Sequence, residues 1–188
     1  MGKKLFIISP VVCLLLIGLV YQWIGTKVDQ RRYPPLGEMV DIGGYALHLN
    51  CQGKQAPTVI LDAGMGLNSL DWSLVQPKIA EFARVCSFDR AGYGWSDASP
   101  LVRTSQSIVE ELHQALIRAD IPPPYILVGH SFGGANMQLF ASYYPEKVFG
   151  IVLVDSSSEG QIEEMTPPLP PSLSKAVFLA NEGYYRFL

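Results

Sequence analysis

Gly129-His130-Ser131-Phe132-Gly133 places a serine at the centre of a G-x-S-x-G motif. A serine hydroxyl in that setting can act as a nucleophile toward a carbonyl carbon. The motif needs a sharp strand-to-helix turn, which tolerates only small neighbours two residues either side of the serine. The residues before it, Tyr125–Val128 (YILV), read as a buried strand, and those after it, Phe132–Tyr144, read as a helix ending before Pro145. This context lifts the Ser131 hydroxyl above a sheet edge. It also aims the Phe132 N–H and the helix N-terminus at the oxyanion of a tetrahedral intermediate. The plainer reading is a Gly-rich turn without chemistry.

An earlier strand, Thr58–Leu61 (TVIL), runs into Asp62-Ala63-Gly64-Met65-Gly66. Sheet topology brings such a loop beside the serine turn, where the Met65 N–H would be a second oxyanion donor; the alternative is a simple glycine turn. The three histidines are His48, His113 and His130, and all precede Ser131. A general base must reach the serine hydroxyl. His48 is on an early strand, His113 is expected on the solvent side of a helix, and His130 is part of the turn itself. Each is read as structural or exposed. The cysteines Cys13, Cys51 and Cys86 lack metal-ligand spacing, and neither a cofactor nor a metal is expected.

The elements that must position these groups alternate strand and helix. Glu38–Asp41 and Tyr45–Cys51 flank Gly43-Gly44 as a hairpin. A helix is expected roughly over Trp72–Phe82, then a strand over Arg84–Phe88 ending in DRAGYGWSD. Thr104 suits the N-cap of a helix over Ser105–Ala119, whose Ile108, Val109, Leu112, Ala115, Leu116 and Ala119 keep helical spacing, and Pro122-Pro123-Pro124 stops it. Val148–Val154 (VFGIVLV) is a further buried strand. Strands apolar throughout, separated by helices, predict an α/β fold: a mostly parallel sheet covered on both faces.

Residues Leu5–Gly25 form a run of 21 without a charge. As a helix it would extend about 31 Å, the thickness of a bilayer core. Tyr21 and Trp23 sit at one end, at headgroup level. Lys3 and Lys4 precede the run and Lys27, Arg31 and Arg32 follow it, so basic residues do not set an orientation. The expectation is a single-pass membrane anchor over residues 1–26; a cleaved signal peptide is the alternative, but the exit YQWIGTK offers no small-x-small site. Residues 27–37 read as a polar linker with a Pro-Pro pair.

The remaining composition narrows the classes. The net charge is −3 with no basic run, which lacks the footprint of a nucleic-acid binder. Hydrophobic residues make up 48% and charged ones 16%, which argues against a disordered chain. Collagen, coiled coil, zinc finger and disulfide scaffold are excluded as well.

TVILDAGMG, RVCSFDRAGYGWSD, YILVGHSFGG and GIVLVD, in this order and spacing, resemble the α/β-hydrolase fold family, in its serine-nucleophile group of esterases, lipases and peptidases. The resemblance covers about residues 38–160. It implies Ser131 as nucleophile, Phe132 and Met65 as oxyanion donors, and Asp89, Gly92, Gly94 and Ser96 as parts of a structural turn. A serine at this place disfavours the Asp-nucleophile epoxide hydrolases and dehalogenases. The usual His-Gly of the oxyanion loop is Ala63-Gly64 here. Asp155, at the end of VFGIVLV, stands where some members carry the triad acid, and is a candidate for it. The family order is Ser, acid, then His, and no histidine follows Ser131. The expectation is therefore a C-terminally truncated hydrolase domain over 38–160, with 161–188 as the start of a cap.

The resemblance also sets Cys51 and Cys86 on neighbouring antiparallel strands. That is compatible with a disulfide, although two reduced buried thiols are the simpler expectation. With later strands missing, Val148–Val154 would form an apolar edge open to self-association. The function so implied is a membrane-anchored serine hydrolase of small-molecule esters or amides, incomplete in this chain. Alternatives are a non-catalytic hydrolase-like binding module and an acyltransferase or haloperoxidase relative.

Overall fold

A computed structural model describes residues 2–157. The chain divides into two compact units, residues 1–36 and 37–188. The expected cap segment 161–188, and the end of the 38–160 span beyond residue 157, lie outside the described residues.

The first unit is helix α1, Gly2–Arg32, with Pro10 inside it. It runs past Gly25 into the stretch expected as a linker, because Lys27–Arg32 contains neither Gly nor Pro; the Pro34-Pro35 pair lies just beyond its end. Pro10–Asp29 is long and apolar enough to cross a membrane, and none of it is buried within the chain.

The second unit carries β1 (Glu38–Asp41), β2 (Ala46–Gln52), β3 (Thr58–Asp62), α2 (Gln76–Ile79), β4 (Arg84–Phe88), α3 (Ser105–Arg118), β5 (Tyr125–His130), α4 (Phe132–Tyr143) and β6 (Val148–Val154). The strands form one sheet in the order β1-β2-β4-β3-β5-β6. β1–β2 and β2–β4 are antiparallel, and all other pairs are parallel. β3 is buried along its whole length, as its uninterrupted apolar run requires. After β3 the chain adds β4 on one side, then crosses by α3 to add β5 on the other. The C-terminal ends of β3 and β5 thus flank the switch point of the sheet, where open α/β sheets bind ligands.

α3 begins where its sequence directs. Thr104 Oγ accepts from the Ser107 N–H and Ser107 Oγ accepts from the Thr104 N–H, both at 3.0 Å. Val109, Leu112, Ala115 and Leu116 pack from α3 onto the face shared with Leu127, Met137 and Phe140. The opposite face holds Val59, Leu61, Val85 and Val128 beneath Trp72. Each fully buried aliphatic side chain contributes about 1.5–3 kcal/mol.

Three expectations need correction. The helix over Trp72–Phe82 is instead a 3-10 turn, Ser69–Trp72, followed by the single-turn α2. Pro77 explains the break: it lacks an N–H and its ring clashes with a preceding turn, so a helix can start beside it but not pass through it. His113 is not on the solvent side. It is 9% exposed, stacked on Tyr144 with ring centroids 3.9 Å apart, and its Nε2 accepts from Lys147 Nζ. The packing of α4 against α3 covers a wider stripe than helical spacing alone marks. Third, Cys51 and Cys86 are joined in a disulfide. They are direct register partners across β2 and β4, with Cα atoms 4.1 Å apart.

Among the described residues β6 pairs on one side only, with β5, and Phe149, Val152 and Leu153 are exposed.

Candidate active site

Ser131 stands between β5 and α4 at φ 51° and ψ −120°. A non-glycine residue seldom adopts this conformation, which costs about 1–3 kcal/mol. The surroundings hold it. Its N–H donates to the Val154 carbonyl at 3.1 Å, and its carbonyl accepts from the Gly134 and Ser157 amides at 2.9 and 3.2 Å. A Cβ at Gly129 would collide with Gly133 and Gly134 backbone, and one at Gly133 with the Asp62 and Ala63 carbonyls. The glycines flanking Ser131 are therefore steric requirements. Ser131 is half-buried, and Phe132 is buried behind it. The Phe132 amide belongs to the first turn of α4, whose N–H groups lack intrahelical acceptors.

The loop after β3 lies against this turn. A Cβ on Gly64 would be 3.1 Å from His130 Nδ1. The Leu67 N–H donates to the Gly64 carbonyl at 3.2 Å, closing a four-residue turn in which Gly66 has φ 77°. That third-position left-handed conformation favours glycine. Met65, at the tip, is exposed.

Three residues not singled out from sequence hold the two segments together. Asp62 ends β3 and is fully buried. Its Oδ1 accepts from Arg90 Nη1 at 2.5 Å and its Oδ2 from Asn136 Nδ2 of α4 at 2.9 Å. Arg90 also donates to the Ala63 carbonyl at 2.6 Å and the Gly64 carbonyl at 2.5 Å, and its guanidinium lies 5.6 Å from the Phe132 ring centroid. One cation thus fixes the loop carbonyls and touches the residue after Ser131. Burial pushes the Asp62 carboxyl above its ordinary value, while Arg90 and Asn136 pull the other way. A signal was present: a carboxylate closing an otherwise apolar strand cannot stay buried without a partner.

The Asp89 turn is the structural unit the resemblance implied. Asp89 Oδ2 meets His48 Nδ1 at 2.9 Å and the Trp95 N–H at 3.0 Å, and Oδ1 accepts from the Ser69 N–H at 2.7 Å. Burial alone would raise the Asp89 carboxyl, but these hydrogen bonds outweigh it and hold the group below its ordinary range. Gly92 and Gly94 take positive φ, and Ser96 Oγ donates to the Asp89 carbonyl at 2.6 Å.

His48 and His113 are therefore engaged elsewhere, and among the described residues no imidazole is hydrogen-bonded to the Ser131 hydroxyl. Asp155 follows β6 at φ 44° and is exposed. The hydrogen bond from Ser131 to its neighbour Val154 keeps it beside the turn, and among the described residues no histidine is bonded to it.

The chain is similar to several known proteins. YqjL, an uncharacterized protein of Bacillus subtilis, is 35% identical over 115 residues, covering 61% of this chain and 46% of its own length. An AB hydrolase superfamily protein of Gibberella zeae is 30% identical over 135 residues, covering 69% and 42%. The solved meta-cleavage product hydrolase CumD from Pseudomonas fluorescens superposes with a TM-score of 0.61 at 25% identity, covering 66% of this chain and 47% of that one. The chain spans about half the length of the curated relatives it matches first. A family model described as alpha/beta hydrolase fold matches residues 57–182, which include the loop after β3, the Asp89 turn, and Ser131 with its glycines, and the chain belongs to that family.

Proposed function

We propose that this chain is the nucleophile-bearing part of a membrane-anchored serine hydrolase that cleaves ester or amide bonds through an acyl-enzyme on Ser131. The observation that carries the reading is Ser131 itself, held at φ 51° between glycines and beside the Ala63–Gly66 loop. A strained serine maintained by its whole surroundings is a site feature rather than a packing one.

In the proposed reaction Ser131 Oγ bonds to the carbonyl carbon, and its proton passes to a general base. The carbonyl π pair moves to oxygen, where the Phe132 and Met65 amides donate to the oxyanion. Collapse re-forms the carbonyl and breaks the bond to the alcohol or amine, which leaves with the base's proton. Water then attacks the acyl-enzyme by the same route and releases the acid. In this reading the base comes from elsewhere than the three histidines: His48 and His113 are bonded to other partners, His130 belongs to the serine turn itself, and residues 132–188 contain no histidine. Relatives about twice as long support that placement. Asp155 is the candidate acid, next to the turn. The apolar Pro10–Asp29 helix supports the anchor.

The test is fluorophosphonate labelling of native membranes from cells that make the protein, compared with Ser131→Ala. A labelled band larger than 20.7 kDa, lost in the variant, is the expected result. A labelled band at the mass of this chain would overturn the external base. No labelling with the protein present would leave a non-catalytic module as the better reading.

A further inference from the structure

The disulfide bears on where this domain lives. Cys51 on β2 and Cys86 on β4 are cross-strand partners separated by 35 residues of sequence. Cys86 is buried in the main core cluster, whereas Cys51 is exposed at the sheet surface. An exposed cysteine on one side of the bond is the kind of position that reducing thiols can reach. In a cytosol, glutathione and thioredoxin keep such pairs reduced; in an oxidising compartment the pair persists as a disulfide. The third cysteine, Cys13, is a free thiol on the apolar stretch of α1.

Charge alone leaves the orientation of α1 open. Lys3 and Lys4 lie before its apolar run, and Lys27, Arg31 and Arg32 after it. The disulfide breaks the tie, since among the described residues no second candidate span follows α1, and residues 37–157 share one side with Cys51 and Cys86.

We propose that residues 37–157 reside on the oxidising, non-cytosolic side of a membrane, with the N-terminus of α1 on the cytosolic side. This rests on the reading of α1 as a membrane segment. The bond forms as the two thiols lose two protons and two electrons to a thiol–disulfide oxidant of that compartment, whose own disulfide becomes a dithiol. The site around Ser131 then faces substrates met outside the cytosol, exported or external acyl compounds rather than cytosolic ones.

The experiment expresses the full 188-residue chain, tagged at its N-terminus, in a bacterial host with a reducing cytoplasm and an oxidising periplasm. Thiols are trapped with acid, and the denatured chain is reacted with polyethylene glycol maleimide. One adduct before reduction, on Cys13, and three after it are expected. Cys51→Ser should show two adducts before reduction, on Cys13 and Cys86. Protease added outside intact spheroplasts should remove the domain and leave a membrane-held, tagged fragment. Three adducts without reductant would overturn the proposal, as would a domain cut only after lysis. Carbonate extraction separates the two readings. A disulfide-bonded domain that is exported but washes off the membrane overturns the anchor and leaves the sidedness standing.

Discussion

Arg90 and Asp62 meet with Nη1 2.5 Å from Oδ1, and both side chains are almost wholly buried. From this pair the guanidinium extends to the Ala63 and Gly64 carbonyls, and the carboxylate to Asn136 of α4. The loop after β3 and the helix after Ser131 are joined through one ion pair.

Removing one partner of such a pair strands the other. Arg90→Met should lower the unfolding free energy by about 3–5 kcal/mol, because the Asp62 carboxylate stays buried with only Asn136 beside it. Arg90→Lys should recover little, since an ammonium cannot match a planar fork that serves a carboxylate and two carbonyls. Arg90→Met with Asp62→Asn should be less destabilised than Arg90→Met alone. Urea titrations of the detergent-solubilised chain, followed by circular dichroism, measure all three.

Ser131 holds its backbone strain without a structural return. Ser131→Gly should raise stability by about 1 kcal/mol, since glycine adopts that conformation freely and the gain exceeds its added unfolded-state entropy. Ser131→Ala should be close to neutral. Both should abolish fluorophosphonate labelling of the protein in native membranes. Equal melting temperatures for the Gly and Ala variants would refute the strain.

Two groups should weaken the fold in acid, against the opposite contribution of Asp62, whose raised carboxyl favours the folded state as pH falls. Burial, reinforced by the Lys147 ammonium, holds the His113 imidazole below its ordinary range. The unfolded state therefore binds a proton first as pH falls. The stability His113 contributes is complete above about pH 6.5 and declines below it toward the lowered pKa. Asp89 also titrates below its ordinary value, so its contribution is complete above about pH 4 and is lost as pH falls through the folded pKa. Urea midpoints between pH 7 and 5 should fall for the wild type and flatten for His113→Gln, with the loss below about pH 4 remaining in both.

The Cys51–Cys86 bond closes a loop of moderate length. Replacing both by Ala should cost about 2–4 kcal/mol, and adding reductant to the wild type should cost a similar amount. Thermal melts of the oxidised, reduced and double-Ala chains check this, and coincident melting of oxidised and reduced chains would contradict it.

Much of this was legible in the residues. TVIL, YILV and VFGIVLV announce strands because a strand covered on both faces must be apolar throughout, and β6 spans the expected Val148–Val154. The start of α3 was legible because capping is local chemistry between Thr104 and Ser107. The 3-10 turn and α2 were not, because apolar spacing over 72–82 looked helical while Pro77 decided otherwise. The buried side of His113 was equally hidden, since it depends on Tyr144 and Lys147, which lie on or beyond the end of a different helix.

By itself, then, the sequence determined the alternation of elements, the family, and Ser131 as the residue to watch. Those depend on periodicity, turns and motifs within a few residues of one another. Tertiary structure alone decided what holds the serine's surroundings in place. Asp62 finds Arg90 28 residues away and Asn136 74 away, and Cys51 finds Cys86 across a strand pair. Partners that distant leave no local pattern. They are selected by sheet order and register, which set which side chains meet once the strands have paired.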